Sequence, residues 1–205
     1  MILYVETNLI MAIAKGQDKE AEEMLKHPPM GVNLIMPSLC YMEAIIALEN
    51  ERKQRTIFLN HLDIQINEES RNFGQDPSLL LTKLREAKLS YEKSLNDFHQ
   101  CFVDGINLVC NCHQLNLIEL RKDSIVKTFN QPIFKKDKQL RDNLILQCII
   151  DHSQQYPSLQ KALLTNNSKE FGKPDIKEIL QEAGINKYFP KTADFLGWFR
   201  SQNSS

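Results

Sequence analysis

Ile2-Leu3-Tyr4-Val5-Glu6-Thr7-Asn8 is the stretch on which the fold turns. Four apolar residues end abruptly in an acid. Polar residues follow, then Leu9, Ile10 and Ile13 recur at the spacing of a short helix over residues 8–15. The pattern predicts a buried strand over residues 2–6 that hands a carboxylate to its C-terminal edge. That edge is where open α/β sheets keep their sites. Further polar and acidic positions fall at similar strand or helix ends: Glu43, Asp142 and the Asn167/Glu170 pair. Carboxylates that converge in this way would suit a hard divalent cation.

Outward from that opening, Gly16 closes the first helix. A second short helix begins at Asp18 and stops at His27-Pro28-Pro29. Val32 to Met36 is the next apolar run and predicts a second buried strand. Ser38 can cap the helix after it, which carries Met42, Ile45, Ile46 and Leu48, with Glu43 a turn and a half in. From about residue 52 to 116 the chain reads as long, polar and helical. Leu81, Leu84, Lys88, Tyr91, Leu95, Phe98 and Phe102 recur every three or four residues, the mark of an amphipathic helix. The expectation is one domain over residues 1–205, with a helical arm over about 52–130 laid against the sheet.

In the second half, Lys135, Lys136, Lys138 and Arg141 form a basic run just before Asp142, which opens a buried helix. These cations are candidates for a lip that holds phosphates, with Arg121 and Lys122 as further candidates. Lys161 to Thr165 predicts a third strand, Asn166 to Lys169 a turn, and Ile185 to Phe189 a last strand. Pro174 and Gly184 frame a helix between them, and a terminal helix runs from Thr192 to Phe199. Strands alternating with helices predict an α/β fold, a parallel sheet with helices on both faces.

Hydrophobic residues make up 42% of the 205 and charged residues 25%, which excludes a disordered chain. Twenty-five basic against 26 acidic residues leave a net charge of −1. Overall charge therefore neither selects nor excludes nucleic acid. Cys40, Cys101, Cys110, Cys112 and Cys148 form no disulfide framework, which suits a reducing cytoplasm. The apolar opening lacks a basic flank, and Leu144 to Ile150 is too short to span a bilayer. The expectation is a cytoplasmic protein that does not engage a membrane.

Taken in order, these motifs resemble those of the PIN-domain nucleases. Glu6-Thr7-Asn8 is similar to the family's first acidic element, usually Asp-Thr-Asn. Pro37 to Glu43 resembles the second, Lys138 to Asn143 the third, and Thr165-Asn166-Asn167-Ser168-Lys169-Glu170-Phe171 the last. The resemblance covers nearly the whole chain, with a longer insertion over about residues 50–130 than compact members carry. It implies a PIN-like three-layer fold and an Mg²⁺- or Mn²⁺-dependent ribonuclease that hydrolyses a phosphodiester with a metal-activated water. Glu6, Glu43 and Asp142 would hold the metal, and Glu170 would complete the catalytic set or orient a water. Asn8, Asn167 and the basic lip would bind RNA. A toxin or defence effector, an inhibitory protein partner and a homodimer are further expectations. Glu6 and Glu170 stand where Asp is usual, which displaces each carboxylate by a methylene. A catalytically degenerate PIN-like module that binds a protein or nucleic acid is the alternative expectation.

Overall fold

Strand β1 (Ile2–Val5) is buried along its whole length, as four consecutive apolar residues demand of a parallel strand covered on both faces. The computed structural model describes residues 1–72, 79–134 and 139–203. After β1 come α1 (Thr7–Ala14), α2 (Lys19–Lys26), β2 (Asn33–Pro37) and the long helices α3 (Leu39–Asn72) and α4 (Leu79–Asn111). Then follow β3 (Leu115–Ile118), α5 (Lys122–Asn130), α6 (Leu140–Ser153), β4 (Lys161–Leu164), α7 (Ser168–Phe171), α8 (Pro174–Glu182), β5 (Lys187–Phe189) and α9 (Thr192–Asn203).

The five strands form one parallel sheet in the order β3-β2-β1-β4-β5. Tyr4 lies beside Ile35 on one side and Leu163 on the other. The chain lays strands outward from β1 to β3, then crosses back to β4 and continues to β5. That reversal leaves a crevice beyond the C-terminal ends of β1 and β4. Glu6 and Thr165 are the residues that follow those two ends.

One strand was not legible as such. β3 lies inside the stretch that reads as helical. It is an edge strand with a single neighbour, and Asn116 and Leu117 are exposed. A four-residue strand broken by Asn116, with exposed residues on both faces, shows no continuous apolar run.

Helix α3 runs unbroken for 34 residues, about 51 Å at 1.5 Å per residue. Its buried stripe at the start is Cys40, Ala44 and Leu48. Met42 and Ile45 of the same helix are 61% and 49% exposed. The small residues define the packed face because they let α3 sit close to its neighbours, and a hydrophobicity pattern weights them weakly. The seam expected on α4 is present: Leu81, Phe98 and Phe102 are buried and the four others half-buried. The arm rests on α1 and α2 through its base. There Gly105 faces Ala14, and a Cβ on Gly105 would lie 3.4 Å from the Ala14 backbone. Farther out the two helices hold mainly each other, through Lys88 and Asp63 at 2.7 Å and through the Phe58 and Tyr91 rings at 4.8 Å.

Helix α6 covers the other side. Asn143, buried in its first turn, accepts from the Phe134 N–H at 2.7 Å and donates to the Phe134 carbonyl at 3.0 Å. Those two bonds fix the chain entering α6 and therefore the position of Asp142. At the far end the Tyr4 hydroxyl meets His152 Nδ1 at 2.9 Å. Among the described residues no helix is long and apolar enough to cross a membrane.

Candidate functional site

Glu6 ends β1 and caps α1. Its extended backbone lets the side chain turn back, and Oε2 accepts from the Asn8 N–H at 3.0 Å. The residue is 4% exposed, and Oε1 is buried with no hydrogen bond of full geometry. The Thr165 hydroxyl, which accepts from the Asn167 N–H at 3.0 Å, is near enough to ease ionisation. Burial dominates and pushes the Glu6 carboxyl up to about 7. The Asn8 N–H and the Thr165 hydroxyl oppose the rise, and the charge of Glu43 adds to it.

Glu43 enters from α3 across the crevice. Its Oε2 accepts from the Thr7 hydroxyl, and its Oε1 stands 3.6 Å from the Arg141 guanidinium. Asp142, in the first turn of α6, is half-buried. Its carboxyl is held above the usual range by burial and by the charges of Glu43 and Glu170. Arg141 and Lys173 pull the other way. Glu170 lies on α7, and Lys173 donates to its Oε2. The four acids thus form a series, Glu6 to Glu43 to Asp142 to Glu170, in which each feels the charge of the next.

Asn8 and Asn167 meet as well. With Asn166, Lys15 and Gln17 they line an open cavity of about 370 Å³ beside the end of β1. Arg141 reaches the site, although it lies on Glu43 and not on an open lip. Lys135, Lys136 and Lys138 lie outside the described residues. Arg121 lines a separate cavity of about 250 Å³ with Lys127 and Asp151, toward the C-terminal end of α6 and away from Asp142.

Among the described residues no three His, Cys, Asp or Glu side chains stand together closely enough to share one ion as they are held. The donors nevertheless match a hard divalent cation. They are all oxygen, they are mutually repulsive, and the innermost has a buried oxygen without a partner. A cation there would relieve both the burial of Glu6 and its repulsion with Glu43.

Three site neighbours carried no role in the sequence reading. Thr7 sits inside the opening motif, but its bond to Glu43 spans 36 positions and only folding reveals it. Lys173 had a local signal, since Glu170 and Lys173 are three apart, the spacing of an ion pair on a helix. The Tyr188 hydroxyl is buried without a partner, and Glu6 adds to the effect of burial in pushing it up.

A family model described as PIN domain matches residues 3–171. No curated protein and no solved structure matches the chain. The chain belongs to the PIN-domain family, whose members are generally nucleases.

Proposed function

From that membership we propose that the protein is a divalent-metal-dependent endoribonuclease acting at the crevice beyond β1 and β4. The carrying observation is Glu6, a carboxylate 4% exposed with one unpartnered oxygen, beside three further acids at the switch point of the sheet. An unpaired buried carboxylate is costly, and a fold keeps one where a ligand offsets that cost. Glu6, Glu43 and Asp142 are the residues to hold Mg²⁺ or Mn²⁺. Such a cation supplies polarisation of a phosphoryl oxygen and a lowered pKa for water.

The protein's own groups account for the rest. Thr7 fixes the rotamer of Glu43. Glu170 orients the attacking water by accepting a hydrogen bond from it at a carboxylate oxygen. Asn8 and Asn167 offer amide donors and acceptors to sugar and phosphate from the open cavity they line. Arg141, with Lys135, Lys136 and Lys138, binds flanking phosphates. An open groove suits a polynucleotide better than a small ester. The preference for RNA rests on the family resemblance.

The test is cleavage of single-stranded RNA by purified protein with Mn²⁺ or Mg²⁺, against Asp142→Asn. Cutting by the wild type that the variant loses is the expected result. No cutting by folded wild-type protein, or full activity in Asp142→Asn, refutes it. The second reading is a non-catalytic binding module. It is favoured by one observation, that Arg141 and Lys173 already pair with Glu43 and Glu170. An inhibitory protein over the groove and pairing of two chains belong to the same proposal. Light scattering on the purified protein tests the pairing.

A further inference from the structure

We propose that Lys173 is a phosphate-gripping residue of this groove, and that the acids hold it, with Arg141, in reserve until a divalent cation displaces both. The proposal rests on the nuclease reading above and adds a residue and a coupling to it.

Lys173 precedes α8, and its ammonium donates to Glu170 Oε2. Its head lies 5.7 Å from the centre of the Phe134 ring, which is buried and packs edge-on against Phe171. That aromatic wall keeps the cation at the site even when its carboxylate partner is taken away. Arg141 forms a second ion pair, 3.6 Å from Glu43. The charges of both cations reach Asp142. Among the described residues, the three outer acids are therefore served by Arg141 and Lys173, while Glu6 has no cation among the groups that act on it.

The Lys173 side chain is 36% exposed and that of Arg141 54%. Ion pairs this open to water are weakly held. A divalent cation competes for the same oxygens. Each carboxylate it draws inward releases a cation that stays beside the groove, where phosphate is the natural new partner. Metal and polynucleotide should then favour each other's binding, and by linkage the coupling is reciprocal. The arrangement also accounts for the absence, among the described residues, of a ready trio of ligands: two of the acids turn to their own counter-ions.

The experiment compares wild type, Lys173→Met and Lys173→Arg. Mn²⁺ affinity is measured by calorimetry. RNA affinity is measured in saturating Mn²⁺ by fluorescence anisotropy over a salt series, with a fluorescein-labelled single-stranded phosphorothioate RNA that keeps its charge and resists hydrolysis. Lys173→Met should bind Mn²⁺ severalfold more tightly, because a competing cation is gone. It should bind the RNA severalfold more weakly, with the slope of log affinity against log salt shallower by about 0.7, one phosphate contact on a single strand. Lys173→Arg should restore both. An Mn²⁺ affinity that is unchanged or lower in Lys173→Met, or an unchanged salt slope, overturns the role of Lys173 while leaving the nuclease reading standing. A wild type that binds neither Mn²⁺ nor RNA overturns both.

Discussion

Replacing Glu6 with Gln in metal-free protein should stabilise it, although the change alters the proposed metal site. Glu6 is 4% exposed, and burial sets its carboxyl at about 7 against an ordinary 4.5. A carboxyl with a raised folded pKa binds more protons folded than unfolded between those values. Stability therefore falls as pH rises from about 4.5 to about 7, and the loss is complete above about 8. At about 1.4 kcal/mol per pH unit, the gap between 4.5 and about 7 amounts to about 3 kcal/mol. Gln keeps an acceptor for the Asn8 N–H and carries no charge, so Glu6→Gln should recover up to that amount at neutral pH. For a chain of 205 residues this corresponds to a rise in melting temperature on the order of 6–12 °C. The assay is thermal and urea unfolding in chelator from about pH 4.5 to pH 8. Wild-type stability should decline across that range, the Glu6→Gln profile should be flatter, and added Mn²⁺ should raise the melting temperature of the wild type alone. Wild-type stability that climbs over the same range, or a Glu6→Gln protein less stable than wild type at about pH 8, would show that Glu6 is already compensated and would remove the reason to place a cation beside it.

Thr7→Val removes the hydroxyl that donates to Glu43 Oε2. It should cost about 1–2 kcal/mol in urea unfolding and reduce metal-dependent cleavage, because Glu43 loses its fixed rotamer. Asn143→Ala leaves both backbone groups of Phe134 without their partner. It should cost about 2–4 kcal/mol by urea unfolding, and unchanged stability would mean that Asn143 does not anchor α6. Gly184 has φ +81, and a Cβ there would stand 3.0 Å from Lys161 Nζ. Gly184→Ala should therefore lower stability by about 1–2 kcal/mol in the same measurement, with RNA cleavage at permissive temperature intact.

Apolar runs at residues 2–5 and 32–36 and the sevenfold seam from Leu81 to Phe102 depend on local periodicity, so composition along the chain was enough to read them. The same holds for the acids that stand at element ends, since an abrupt change from apolar to charged marks where a buried element stops. Tertiary structure decided what periodicity does not encode. β3 became the sheet edge because it pairs with β2, not because Leu115 to Ile118 announces a strand. Cys40 and Ala44 displaced Met42 and Ile45 from the packed face of α3, since close approach favours small residues. Glu43 and Glu6 owe their surroundings to groups far away in sequence or to burial: Thr7 and Arg141 on Glu43, and removal from water on Glu6. A sequence fixes which residues carry charge. The energy of that charge depends on its distance to water and to other charges, and those distances exist only after the chain has folded.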